Sequence, residues 1–144
     1  MNIIWGVILF IISSIGYLGQ AITAFWPTTA TTLGLTEPEA DVDPTFYADV
    51  RGEAYWDTAI LWMLPVAGVL LMLNNPMWVY FGLVGGGTYL YFAGRGIVVR
   101  RVMQRRGIRV GNPATLKMIY IFLALWGLSA GITIVMAIAA LPLF

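Results

Sequence analysis

The chain contains no cysteine and no histidine among its 144 residues. Without cysteine it can form no disulfide, no thiol nucleophile and no iron–sulfur ligation. Without histidine it cannot supply an imidazole to a haem, to zinc or to a pigment magnesium, and it cannot form a Ser-His-Asp triad. We therefore predict no catalytic residue of these kinds and no metal site, and the sequence leans away from an enzyme.

Charge is also scarce. Only 10% of the residues are charged and 60% are hydrophobic, whereas a soluble domain has about 25% charged residues. So few charges cannot cover the surface of a soluble monomer, and a chain this hydrophobic cannot be disordered. The composition predicts an integral membrane protein with no nucleic-acid partner.

Four apolar runs approach the length of about 20 residues that a membrane-spanning helix needs. They comprise residues 2–26, 55–73, 77–94 and 118–141. Backbone inside a bilayer must satisfy its own hydrogen bonds, so each run is predicted to be a helix, the first one retained rather than cleaved as a signal peptide. The third helix is expected to continue over 77–106, ending at Gly107. The predicted fold is all-α: one domain, residues 1–144, forming an antiparallel four-helix transmembrane bundle with a polar cytoplasmic cap.

The connections between these runs differ in length. Asn74-Asn75-Pro76 predicts a tight turn between the second and third helices. Residues 27–54 and 95–117 are the two long connections, of which the first is expected to be a polar loop. Pro65 should disturb the second helix, because it leaves the carbonyl near Leu61 without its helical partner.

The charges separate into two blocks. All seven acids lie between Glu37 and Asp57, and seven of the eight basic residues lie between Arg95 and Lys117. Four spans place both blocks on the same side, and the excess of Lys and Arg predicts that this side is cytoplasmic. Both termini then face outward from the cell membrane.

Two uses of these charged blocks stay open. The blocks can neutralise each other across the end of the bundle. Alternatively, the arginines of the third helix contact anionic lipid or a partner; they are Arg100, Arg101, Arg105 and Arg106. The spacing of the acids does not match an EF-hand calcium loop.

Asp57 and Arg95 are the pair most strongly expected to meet. Counted outward from the Asn74–Pro76 turn, both lie about 27–29 Å away at 1.5 Å per residue. A charge at that depth is costly unless it is paired or reaches the headgroups. The pair is either a structural clamp or a site for a polar headgroup or a proton, and simple snorkelling to water is a third alternative. Glu53 lies one helical turn before Asp57, and Arg51 lies two residues before Glu53. Both are further candidates for the clamp or the ligand site.

Glycines mark the predicted packing faces of the helices, because they let two backbones approach closely. The candidates are Gly16, Gly82, Gly86, Gly127 and Gly131. The alternative is that the glycines leave room for an apolar ligand such as a quinone, a pigment or an acyl chain. No cofactor is identified by the residues themselves.

The order of features resembles the DoxX-like superfamily of small four-helix membrane proteins. The residues that carry the resemblance are Pro27, Leu33-Gly34-Leu35, Asp49-Val50-Arg51-Gly52, Gly94-Arg95, Gly107 and Gly111-Asn112-Pro113. Some members of that family look like subunits of quinone-linked oxidoreductase systems, so the resemblance implies an accessory role.

Two functions follow as expectations. The first is a non-catalytic membrane subunit or scaffold that packs in a larger complex or a homo-oligomer, or that holds a lipid-like, quinone-like or pigment-like ligand. The alternative is a small enzyme or carrier for an apolar substrate with an anionic head. In that case Arg51 and Arg95 would bind the head, and Glu53 or Asp57 would move a proton.

Overall fold

A computed structural model describes residues 2–141 of the chain. Over that range the protein is helical and contains no β-strand, apart from an isolated antiparallel bridge between Val42 and Val110. A short 3-10 turn covers Glu39–Asp41. The α-helices in chain order are α1 (Asn2–Phe25), α2 (Pro27–Thr32), α3 (Pro44–Ile60), α4 (Met63–Met72), α5 (Trp78–Arg105) and α6 (Pro113–Ala140).

Three segments are long and apolar enough to cross a membrane. They are Ile3–Phe25, Pro44–Met72 and Pro113–Ala140. α5 has 28 residues, which is also sufficient length. Its glycines, tyrosines and arginines lower its hydropathy, however, so it is not one of the three. A fourth span, and the insertion of the whole chain as a four-helix bundle, stay predictions.

The loop expected over 27–54 is wrong in part, because α2 lies within it and α3 begins at Pro44. Asp43 is the N-cap of α3, and its side chain accepts a hydrogen bond from the Thr45 N–H at 2.8 Å. Pro44 follows at the first helical position, where its missing N–H has no cost. The dipeptide Asp43-Pro44 therefore carried a helix-start signal that outweighs the polarity of the segment.

The second predicted helix is divided at Leu61 and Trp62, between α3 and α4. Pro65 explains the division, since it has no N–H to donate to the Leu61 carbonyl four residues earlier. The helix resumes at Met63, so α3 and α4 together cross the length of the molecule as two joined pieces. The disturbance expected at Pro65 is present at this position.

The turn between α4 and α5 is short and closed by its two asparagines. Asn74 has a φ of 51°, in the left-handed region that asparagine tolerates better than most residues. The Asn75 N–H donates to the Leu70 carbonyl at 2.9 Å, and the Asn75 side chain accepts from the Met77 N–H at 3.0 Å. These bonds end α4 and turn the chain back so that α5 runs beside it.

The helices pack in a defined order. α5 lies between α6 and α4, while α1 packs against α3 and α4 and touches α6 only weakly. One buried core joins all of them. Its members are Leu9, Leu61, Leu64, Ala67, Tyr89, Phe92, Leu123 and Ala130.

Glycines make the closest helix contacts. A side chain at Gly85 would place its Cβ 2.6 Å from the Leu64 backbone nitrogen, and one at Gly68 would lie 2.8 Å from the Phe10 nitrogen. Gly85 therefore sets the distance between α5 and α4, and Gly68 sets the distance between α4 and α1. Contact this close requires a glycine on at least one of the two helices, because a Cβ at that position would overlap the neighbouring backbone.

The glycines singled out from the sequence divide into two groups. Gly82 and Gly86 of α5 face Thr133 and Ile134 of α6, and Gly127 faces the Ala93 side chain. Gly131 was expected to pack as well, but no atom of a neighbouring element lies within 4 Å of a Cβ built there. The prediction for Gly131 is wrong because α6 faces α5 through Ala130, Thr133 and Ile134, and position 131 is rotated away from that side by about 100° per residue.

The two long connections meet at one end of the molecule. The Asp43 N–H donates to the Arg109 carbonyl at 2.8 Å, beside the Val42–Val110 bridge. A second buried cluster, which includes Phe46 and Leu116, lies beneath these two loop segments. We call this end, formed by residues 27–53 and 95–117, the charged end.

A matched pair of glycine substitutions tests the close contact between α4 and α5. Gly85→Ala should lower the free energy of unfolding by about 1–3 kcal/mol, because the new methyl group overlaps the Leu64 backbone. Gly87→Ala, in the same helix with open space around it, should be neutral or stabilising by up to about 1 kcal/mol. Thermal unfolding in one detergent measures both. Equal midpoints for the two variants would contradict the observed packing.

Candidate functional site

Three carboxylates follow one another along the inner face of α3. Asp49, Glu53 and Asp57 are spaced four residues apart, so they lie above one another on the helix. Their burial increases with distance from the charged end, from a partly exposed Asp49 to Asp57 at 1% exposure. This arrangement carries negative charge from the surface into the apolar interior.

Arg95 of α5 binds the two outer carboxylates. Its Nη2 donates to Asp49 Oδ1 at 2.7 Å. Its Nη1 lies 2.7 Å from Glu53 Oε2, which is close enough for an ion pair although the N–H is not aligned for a hydrogen bond. One guanidinium thus joins α5 to two successive turns of α3.

The expected contact between Asp57 and Arg95 is not formed. Asp57 makes no ion pair within the described part of the chain, and its Oδ2 is buried without a hydrogen-bond partner. The depth count assumed straight, parallel helices, but the second helix is broken at Leu61 and Trp62. The long Arg95 side chain also reaches toward the charged end, where solvation is better, and so pairs one and two turns away from Asp57.

Arg100 lies inside the molecule rather than on its surface. Its exposure is 7%, and its Nε lies 3.4 Å from Glu37 Oε1. Its Nη1 donates to the Gly96 carbonyl at 3.1 Å, and the guanidinium sits 5.2 Å from the centre of the Phe46 ring. This arginine therefore clamps α5 to the loop before α3.

The prediction that Arg100 contacts anionic lipid is consequently wrong. Position 100 continues the buried face of α5 that includes Tyr89, Ala93 and Gly96, and the glycine one turn before it leaves room for the side chain to fold inward. Its neighbours on the helix are exposed, as an outward basic surface requires; they are Arg101, Arg105 and Arg106.

Arg51 has a separate structural task. Its guanidinium donates to the Thr23 carbonyl near the end of α1 and lies over the Tyr55 ring. The Thr23 carbonyl would normally accept a hydrogen bond from the N–H four residues later, but that residue is Pro27, which has none. Arg51 therefore supplies the missing donor and adds a positive charge at the C-terminus of a helix, where it is favourable.

A cleft separates α1 from α6 toward the charged end. The two helices meet at Gly16, where the Trp126 ring lies 3.0 Å from a Cβ built on the glycine. The Trp126 Nε1–H also donates to the Ile12 carbonyl at 2.8 Å. One turn further, at Gly19, nothing lies within 4 Å, so the helices part there. We call the resulting space the α1–α6 cleft.

The α1–α6 cleft has apolar walls and a polar end. The space that it encloses is about 100 Å³, and the cleft is open on one side. The walls include Ile15, Phe92, Met118, Ile119, Phe122 and Trp126. The polar end consists of Gln20, Thr23, Thr36, Glu53 and Arg100. This division of apolar and polar groups fits a molecule with an apolar tail and a small polar head.

Two parts of this site were missed in the sequence. Glu37 was one acid among seven, yet it is 2% exposed and holds Arg100. Gly19, three residues after the packing candidate Gly16, was not predicted to line a ligand site, yet it borders the cleft. No local pattern marks Glu37, because its burial depends on the loop of residues 107–112 folding over it. In the described residues, no group of three carboxylates is arranged to hold a metal ion.

Comparisons of the chain with protein families, with curated proteins and with solved structures each found no match.

Replacing Arg95 tests its ion pairs with Asp49 and Glu53. Arg95→Gln leaves Asp49 and Glu53 facing each other, and should lower the free energy of unfolding by about 1–3 kcal/mol. This is less than for a fully buried pair, because a quarter of the arginine side chain is exposed. Arg101→Gln, which removes an exposed charge of the same helix, should change it by less than about 0.5 kcal/mol. Thermal or denaturant unfolding of the two variants gives the comparison.

A double variant distinguishes ion pairing from lost packing. If Arg95 acts through its charge, Arg95→Gln combined with Glu53→Gln should be less destabilised than the two single variants added together. Simple additivity of the two changes would mean that the ion pair contributes little.

Proposed function

We propose that this protein is an integral membrane four-helix bundle that holds an amphipathic, lipid-like ligand in the α1–α6 cleft. The observation that carries the proposal is the cleft itself, whose apolar walls end at a cluster of polar side chains. Its two sides are helices long and apolar enough to span a membrane. A ligand that enters between such helices comes from the bilayer.

The proposed role is that of an accessory subunit rather than a catalyst. The polar groups at the cleft end are already engaged in structural contacts, since Arg100 is held by Glu37 and Glu53 is held by Arg95. The resemblance to the DoxX-like superfamily implies the same kind of role. Holding a lipid or a quinone-like molecule beside a partner requires only the cleft and no reactive side chain.

The alternative with an anionic head group loses the residues assigned to it. Arg95 already pairs with two carboxylates, and Arg51 caps the end of α1 at Thr23. Neither side chain lines the α1–α6 cleft. We therefore do not propose a carrier or enzyme built on these two arginines.

The proposed orientation has the charged end in the cytoplasm and the α4–α5 turn outside. The basic residues of the charged end support it. Among them, the exposed arginines of α5 are placed to contact anionic lipid headgroups or an acidic partner surface. These residues are Arg101, Arg105 and Arg106.

The orientation has a clean test because the chain contains no cysteine. Single substitutions Asp41→Cys and Arg105→Cys should both be labelled by a membrane-impermeant maleimide only after cells are opened. Leu73→Cys, at a position 70% exposed beside the α4–α5 turn, should be labelled in intact cells. Labelling of residues 41 and 105 from opposite sides would contradict both the bundle and its orientation.

Filling the cleft tests ligand binding. Gly19→Leu places a side chain in the cleft where a Cβ meets no atom, and should reduce binding about tenfold without a loss of stability. Gly131→Leu is the matched control, because it adds the same side chain to open space outside the cleft. Binding is measured by crosslinking oleyl-chain lipids that carry a diazirine in the tail, followed by mass spectrometry of the labelled peptides.

The proposal requires the crosslinks to fall on residues 15–23 and 118–126 and to weaken in Gly19→Leu alone. Crosslinks spread evenly over all lipid-facing helices, or unaffected by Gly19→Leu, would show that the cleft holds no ligand.

A further inference from the structure

The polar end of the α1–α6 cleft has specific hydrogen-bonding capacity left over. Glu53 Oε2 faces Arg95, but Glu53 Oε1 is buried and has no hydrogen-bond partner. A buried acceptor without a donor is costly, and the large majority of such atoms in proteins are partnered. Glu53 lines the cleft, so a ligand head is in a position to supply the missing donor.

The other cleft residues do not supply that donor to Glu53. The Thr23 hydroxyl donates to the Gly19 carbonyl at 2.8 Å, so its proton is already used. Arg100 directs its Nε to Glu37 and its Nη1 to the Gly96 carbonyl. A guanidinium has five N–H groups, so Arg100 retains donors for an acceptor on a ligand. The site thus offers one free acceptor at Glu53 and free donors at Arg100.

Several carboxylate oxygens near this end of the cleft have no hydrogen-bond donor. Four carboxylates turn inward there, each with one oxygen that is buried without a partner: Glu37 Oε2, Asp49 Oδ2, Glu53 Oε1 and Asp57 Oδ2. The arginines that pair with them are Arg95 and Arg100. Among these four carboxylates, Glu53 is the one that lines the cleft, so a ligand head would meet its charge first. In a poorly solvated site, a further anion would be repelled.

The geometry points to a ligand whose head is an uncharged hydroxyl on a long apolar chain, with its O–H donated to Glu53 and its oxygen accepting from Arg100. This inference depends on the proposed function, since it names the head of the molecule that the cleft would hold. A hydroxyl is the simplest head that is donor and acceptor at once. The apolar tail would lie along the walls between α1 and α6.

Other heads match this site less well. A carboxylate or phosphate adds a negative charge beside Glu53, and an ionised carboxylate has no donor for Glu53 Oε1. An ammonium has no acceptor for Arg100 and lies close to its positive charge. A quinone carbonyl accepts from Arg100 but leaves Glu53 Oε1 without a donor. Among these heads, the hydroxyl alone satisfies both residues.

A series of ligands with one tail and different heads tests the inference. The protein in nanodiscs is crosslinked with the diazirine form of oleyl alcohol at pH 8, and unlabelled oleyl alcohol, oleic acid and oleylamine compete. We expect oleyl alcohol to compete at about tenfold lower concentration than the other two, since a tenfold ratio corresponds to one satisfied hydrogen bond to a charged group. The readout is the crosslink yield on residues 15–23 and 118–126.

A substitution at Glu53 connects the preference to the residue. Glu53→Gln removes the charge and adds an N–H donor, so oleic acid should improve relative to oleyl alcohol and the preference should shrink to about twofold. Glu39→Gln is the control, because it removes the same charge at an exposed position of the 3-10 turn. It should leave the order of the three competitors unchanged. Thermal unfolding verifies that each variant is folded.

Three results would overturn the inference. The first is oleic acid or oleylamine competing as well as oleyl alcohol on the unmodified protein. The second is the same change of preference in Glu39→Gln as in Glu53→Gln, which would indicate a general effect of charge. The third is the absence of specific crosslinks in the cleft with any head, and that result would remove the proposed function too.

Discussion

The arrangement of the charged end depends on the free-energy cost of placing arginine side chains among apolar helices. A guanidinium in poorly solvated surroundings must find a carboxylate and further hydrogen-bond acceptors. Arg95 finds Asp49 and Glu53 on α3, and Arg100 finds Glu37 in the loop before it. These pairs join α5 to the elements that precede it in sequence. They therefore determine how the loop of residues 33–43 and the start of α3 sit over the ends of the helices.

The same constraint shapes the chemistry of the charged end. Two arginines face four inward carboxylates, so the pairing is incomplete and leaves carboxylate oxygens without donors. If stability were the only requirement, apolar side chains of similar size would serve as well or better. One of these unpartnered oxygens belongs to Glu53, which borders an apolar space. That coincidence of an unsatisfied acceptor with a cleft connects the structural ion pairs to ligand binding.

The sequence alone predicted where the long helices lie, but it did not predict which side chains form ion pairs. Apolar runs and the Asn74–Pro76 turn located the long helices, and the separation of charge indicated which connections lie close. The ion-pair partners could not be read in this way, because the flexible side chain of Arg95 spans more than one helical turn and Pro65 breaks the helix from which depth was counted. The inward direction of Arg100 depends on Gly96 and on the distant Glu37, so no local pattern reveals it.

The position of the cleft follows from how each pair of helices is spaced. α4 with α5, and α4 with α1, are held together by glycines whose Cβ would meet backbone. α1 and α6 have no such contact; they meet through the bulky Trp126 ring on Gly16. A ring set between two helices acts as a spacer as well as a contact, and at Gly19 nothing fills the gap beyond it. A glycine against a neighbouring backbone closes a helix pair, whereas a glycine opposite a large aromatic ring closes it at one level and opens it one turn further.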